Sequence, residues 1–172
     1  MKKEIFAIPI FEDVIDLNIF KVPKTPVKET WDSKVKTTFG TKLKVSDAAF
    51  KHLSKVISKN LSEAGLMAKS PRFGEIWRNE YNEHDYQDVH CHPRCQWSFI
   101  IYETVYSKTS FLNPSIRDIQ NQLGEYVPGF DLDYKPNLGP GSIIIFPSFL
   151  MHMVNSGNKG STISGNIYID YF

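Results

Sequence analysis

The chain has 172 residues, 41% hydrophobic and 23% charged, enough length and apolar content for one domain over 1–172 with a buried core. Lys and Arg total 20 against 19 Asp and Glu, so no bulk charge directs it to nucleic acid or to an anionic membrane. Two cysteines exclude a disulfide framework, and no apolar run reaches the length of a membrane span. With no export signal read at its start, the expected setting is the reducing cytoplasm.

Glu4–Phe11 is short, β-rich and interrupted by Pro9, which predicts an edge strand. Residues 22–45, with Pro23, Pro26 and Gly40, read as loop with room for one short strand; the lysines scattered there read as a solvated face. Ser46–Ala64 is the clear helix. Ser46 caps it, Asp47 suits the positive end of the dipole, and Phe50, Leu53, Ile57, Leu61 and Ala64 form one apolar stripe before Gly65.

From residue 71 onward the pattern changes to strands: Phe73–Tyr81, Val89–His92, Gln96–Val105, Ser142–Phe146 and Thr162–Tyr171, divided by Asn-, Gly- and Pro-rich turns. Between them, Ser115–Leu123 reads as a helical turn or two, followed by a loop of the kind that often covers a site. The fold class expected is mainly β (α+β). Residues 71–172 would make a barrel or sandwich, and the strand, loop and helix of 1–70 would cover it.

Three of the five histidines fall in two places, Asp88-Val89-His90-Cys91-His92-Pro93 and Phe146-Pro147-Ser148-Phe149-Leu150-Met151-His152. On a strand, His90 and His92 project from one face, about 7 Å apart at Cα. A third imidazole from a partner strand would complete one face of an octahedral metal site and leave the other positions open. That arrangement suits non-haem iron and oxygen chemistry. His52, on the polar side of the helix, and His84, in a turn, read as structural. Zinc held by Cys91, His92 and Cys95 is disfavoured, because Cys91 would point away from His92 and no second ligand cluster exists.

These motifs, with Trp77–Tyr81, Asp85–Pro93, Ser98–Tyr102, Phe111–Pro114, Gly141–Val154 and Lys159–Asn166, resemble the 2-oxoglutarate- and iron(II)-dependent oxygenase superfamily. The likeness is to its prolyl-hydroxylase-like branch, with many phage and marine bacterial members. The resemblance implies a double-stranded β-helix (jelly-roll, cupin-like). It also implies Fe(II) on His90, His92 and His152, 2-oxoglutarate as cosubstrate, O2, and hydroxylation of a protein or small-molecule substrate. Tyr102 and Ser164 would then hydrogen-bond the cosubstrate, and strand alternation turns Asn79, Tyr81 and Asn166 inward.

Two positions depart from the superfamily pattern. His92 stands where a carboxylate ligand is usual, which leaves Asp88 as an anionic neighbour or substitute. Thr162 stands where an Arg usually binds the far carboxylate of 2-oxoglutarate, a task that would pass to Lys159, Arg78 or Arg94. Two further classes follow from these departures: a cupin-like three-His dioxygenase that does not use 2-oxoglutarate, and a non-catalytic barrel such as a phage structural or binding protein.

Overall fold

The computed structural model of the chain describes residues 1, 7–22, 28–29, 35–41, 43–66, 71–124 and 129–169. The start of the first predicted strand, the end of the last, and Lys24, Lys34 and Lys42 lie outside them. Among the described residues two antiparallel sheets face one another as a double-stranded β-helix. The larger contains β1 (Phe11–Val14), β9 (Ser142–Pro147), β6 (Trp97–Tyr102), β11 (Gly160–Tyr168), β4 (Arg72–Tyr81), β3 (Lys36–Thr37) and β2 (Lys28–Glu29), in that spatial order. The smaller runs β5 (Gln87–His90), β10 (His152–Val154), β7 (Thr109–Leu112) and β8 (Asp133–Tyr134).

The strand period of two sorts the larger sheet's side chains into two cores. Ile143 and Ile145 of β9, Phe99 and Ile101 of β6, and Ile163 and Ile167 of β11 face outward to the helix α1 (Asp47–Glu63). Ile144 and Phe146 with Ile100 and Tyr102 face the barrel interior and meet Phe111 and Leu150. Helix α1 covers the outer face because Ala49, Leu53, Ile57 and Leu61 are fully buried on it. Each of the larger three contributes roughly 1.5–3 kcal/mol by leaving water. Ser46 Oγ accepts the Ala49 N–H at 3.2 Å, and Gly65, at φ 68°, takes the left-handed turn that ends the helix. Ala64 is exposed, so Ala49 fills the place in the stripe predicted for it.

Several boundaries differ from expectation for identifiable reasons. The edge strand lies at Phe11–Val14, beyond Pro9, where every residue has an N–H to give the ladder with β9. Among the described residues of 22–45 are two short strands, β2 and β3. Strand β6 stops at Tyr102 because the Glu103 and Thr104 N–H groups both turn to Ser161 O, at 3.1 Å each. The strand predicted to end at His92 ends at His90: Pro93 cannot continue a ladder, and the His92 N–H donates to Ser148 O at 2.9 Å. Strands β7, β8 and β10 are too short to read from periodicity. The predicted helical turns become α2 (Ile116–Leu123).

Candidate metal centre

Strand pairing makes the first contact. β10 lies between β5 and β7, and its register sets His152 directly opposite His90 on one side and Phe111 on the other. Cross-strand partners on one face touch, so the two imidazole centroids lie 4.3 Å apart. His92 reaches them from the loop after β5, its ring 5.6 Å from His90 and 5.1 Å from His152. One ring nitrogen from each of the three lies within 4.8 Å of the others. Asp88 is exposed and its carboxylate stands outside this group.

The hydrogen bonds decide which nitrogens are free. His90 Nδ1 lies 2.7 Å from Asp88 O, and His152 Nδ1 lies 3.0 Å from Leu150 O. A carbonyl oxygen only accepts, so both Nδ1 atoms carry the proton. His92 Nδ1 lies 2.9 Å from Asn166 Oδ1 and donates in the same way. In each ring Nε2 is thus the nitrogen left for a ligand. This is the pattern of metal-binding imidazoles, whose other nitrogen is held by an oxygen acceptor.

Burial keeps His92 and His152 neutral. His92, packed by Trp77 at 5.3 Å and Phe146 at 6.0 Å, is pushed down to about 4, first by burial and then by the neighbouring His90. His152, among Phe111 and Phe146, is held well below the ordinary value by burial, then by His90 and His92. No proton has to leave these two at neutral pH before a cation binds.

Behind the rings is a nearly closed cavity of about 20 Å³, bounded by Asn79, Tyr81, Asn158, Thr162 and Ser164 as well as the histidines. It has room for about one water, so a larger ligand enters only as neighbouring side chains move. Among the described residues no Lys or Arg lines it. Tyr81 donates to Gln87 Oε1 at 2.7 Å, and burial pushes its hydroxyl far up, so it stays neutral. Thr162 is close enough to influence that hydroxyl, yet its own Oγ1 is buried without a hydrogen bond.

The structure separates the predicted site residues. Asn79 and Ser164 line the cavity. Asn166 faces inward but is occupied with His92 and, at 3.4 Å, with Ser98 Oγ. Tyr102 is buried in the interior core away from the cavity, donating to Thr109 Oγ1 at 3.1 Å and accepting from Ser107 at 2.9 Å. Lys159 is exposed and does not line the cavity. Arg78 alternates with Asn79 on β4 and so faces the other way, bonded to Val22 O and paired with Glu103. Arg94 is exposed on the loop after His92, at φ 68°. Cys91 and Cys95 are free thiols, and Cys95 contacts Ser148 Oγ at 3.1 Å. His52 is structural, accepting the Asp16 N–H at 3.0 Å. Asn158 and Gln87 also line the cavity; a polar residue in a turn, as Asn158 is, or at the first position of a four-residue strand, as Gln87 is, carries no signal of burial until the fold closes over it.

Solved structures share this architecture. A Pseudomonas putida prolyl-4-hydroxylase superposes with a TM-score of 0.57 at 10% identity, covering 95% of this chain and 94% of that one. A Burkholderia pseudomallei oxidoreductase of the 2OG-Fe(II) oxygenase family gives 0.54 at 10% identity, over 85% of this chain and 73% of that one. HygX from Streptomyces hygroscopicus, with nickel, 2-oxoglutarate and hygromycin B bound, gives 0.54 at 9% identity, over 87% and 74%. No protein-family model matches the sequence, and no curated protein is significantly similar to it. At these identities the likeness establishes the fold, the double-stranded β-helix that carries 2-oxoglutarate oxygenases.

The donor set fits a divalent first-row metal such as iron(II): three imidazoles, each with Nδ1 held by an oxygen acceptor. The fit to 2-oxoglutarate is divided. Its oxo-acid end needs only open positions on a metal, whereas its far carboxylate finds no cation in the wall among the described residues.

Proposed function

We propose that the protein is a metal-dependent oxygenase with its centre on His90, His92 and His152, iron(II) as the metal and a 2-oxo acid as cosubstrate. 2-Oxoglutarate is the acid that the fold suggests. The observation that carries this reading is the set of three Nδ1–H groups, each donating to an oxygen, in three rings that bring one nitrogen apiece within 4.8 Å of the others. Bound iron(II) would supply the redox chemistry that activates O2.

The chain's own residues supply orientation and dryness. Asp88 O, Leu150 O and Asn166 Oδ1 hold the imidazoles in the binding tautomer. Trp77, Phe111 and Phe146 pack on them and exclude water. Asn79 and Ser164 offer polar contacts to a cosubstrate, while Tyr102 and Lys159 do not line the cavity. An open groove of about 690 Å³, floored by Ile8, Phe111 and Leu150 and rimmed by Asp133 and Tyr134, is suited to the oxidised substrate. Its Phe111 also packs on His152, which links the groove to the centre.

Anaerobic titration with iron(II) should saturate at one per chain. Addition of 2-oxoglutarate in large excess should then produce the weak visible charge-transfer band of a chelated 2-oxo acid. The neutral cavity wall favours a second reading, oxygenation at a three-histidine centre without a 2-oxo acid. Iron binding with no band from any 2-oxo acid would select it.

A further inference from the structure

We infer that the cavity selects a 2-oxo acid whose far end is uncharged and accepts a hydrogen bond from Thr162, in place of the dicarboxylate 2-oxoglutarate. The inference rests on the proposed oxygenase reading and specifies its cosubstrate.

Two observations carry it. Thr162 lines the cavity at 3% exposure, and its Oγ1 is buried with no hydrogen-bond partner. Buried hydroxyls are satisfied in the great majority of cases, so an orphan aimed at a cavity beside a candidate metal centre marks a place for a ligand atom. The register puts Thr162 between Asn79 of β4 and Tyr102 of β6. Asn79 Oδ1 is already taken by Thr37 Oγ1 at 2.7 Å, and the Tyr102 hydroxyl by Thr109 and Ser107. Neither cross-strand neighbour frees a group to satisfy Thr162; the Tyr81 hydroxyl stands close to it but gives its proton to Gln87 Oε1, and Thr162 Oγ1 makes no hydrogen bond of normal geometry.

The second observation is the charge of the wall. Asn79, Tyr81, Asn158, Thr162 and Ser164 are all neutral. On three histidines the near carboxylate of the acid offsets one of a divalent metal's two charges at the chelated end, whereas the far carboxylate, at the other end of the acid, would meet a wall with no cation among the described residues. Arg78 is directed to Glu103 on the opposite face, and Lys159 is exposed. A carboxylate enclosed there would exchange water for hydroxyls and amides alone, an unfavourable transfer. A carbonyl or ester oxygen loses far less hydration and still accepts from the Thr162 hydroxyl.

The test compares 2-oxoglutarate with its methyl ester at the far carboxylate, which keeps the chelating end and removes the distal charge. Both are titrated anaerobically into the iron(II)-loaded protein and followed by the charge-transfer band. The ester should bind at least tenfold more tightly. Thr162→Val, close in shape, should bind iron unchanged, lose most of that preference and leave the metal-free Tm equal or higher, because a buried unpaired hydroxyl is removed. Thr162→Arg should reverse the preference towards 2-oxoglutarate. Equal or tighter binding of 2-oxoglutarate by the unaltered protein overturns the inference, as does an unchanged ester affinity in Thr162→Val. Iron binding without a band from either acid overturns the 2-oxo acid reading beneath it.

Discussion

Replacing Asn166 with Leu tests whether the imidazole tautomers are set for metal binding. Asn166 Oδ1 is the acceptor for His92 Nδ1–H at 2.9 Å, and His92 is only 9% exposed. Leu keeps the branching of Asn with bulkier ends but accepts nothing, so the Nδ1–H is left buried and unpaired at about 1–3 kcal/mol. The ring is then free to rotate or to exchange tautomers, and loss of such a supporting contact typically lowers metal affinity about 10–100-fold. Asn166→Asp keeps the acceptor and adds charge. The Asn166 contact already opposes the effect of burial on His92, so a carboxylate should move that ring's titration upward from about 4. Metal affinity is measured by competition against a chelator of known strength, and the His92 titration by NMR of the metal-free protein. The expected order of affinity is Asp equal to or above Asn, and Leu lowest. Wild-type affinity in Asn166→Leu would refute the argument that this hydrogen bond prepares His92. A purely structural role would lower Tm in both variants without separating their affinities.

His152→Ala removes the ligand shared by both strand contacts, and bound metal should fall from one per chain to none while the far-UV circular dichroism is kept; retained metal would assign the ligands wrongly. Stability of the metal-free protein should fall as pH drops from about 6.5 through about 4. His92 and His152 are held neutral when folded, so the unfolded chain binds more protons in that window and acid favours it. For His92 the step from 6.5 to about 4 is worth about 3 kcal/mol, and His92→Gln should flatten the chemical-denaturation profile by about that amount. An unaltered profile in that variant would contradict the assigned cause. Gly165→Ala places a Cβ 2.6 Å from Phe99 Cζ and 3.1 Å from Glu75 O. With Phe99 fully buried, the overpacking should cost about 1–3 kcal/mol in urea unfolding, and a cost near zero would show that the ring can move.

The fold was legible where long periodic segments carried it. Helix α1 is readable because a cap, a stripe and a stop agree over 17 residues, and the long strands β4, β6, β9 and β11 because β-branched runs cluster between turns. Strands of two to four residues are a different matter. β7, β8 and β10 have almost no internal pattern, and it is pairing with neighbours that makes them strands. The inner row of the large sheet was half legible. Alternation turned Asn79, Tyr81 and Asn166 inward as expected, but it could not tell which would line the cavity and which would be occupied by a neighbour. Tyr102 obeys the same alternation and is taken up by Ser107 and Thr109, whose positions depend on where β6 bends.

The three histidines were legible as residues but not in their route to one another. The reading placed His90 and His92 on one strand with His152 brought to them. In the fold the strand pair is His90 with His152, locked by the β5–β10 ladder, and His92 arrives from a loop that Pro93 has already broken away from the sheet. That difference has a mechanical consequence. A ladder fixes His90 and His152 through backbone hydrogen bonds that a side-chain substitution leaves in place. His92 is fixed by its N–H to Ser148 O and by Asn166 at its ring. Of the three proposed ligands it is therefore the one most sensitive to its neighbours, and it is also the one at the position where the resembling superfamily carries a carboxylate. A carboxylate ligand would bring its own charge to the metal, whereas this imidazole binds only through a correctly placed lone pair, which makes Asn166 integral to the centre.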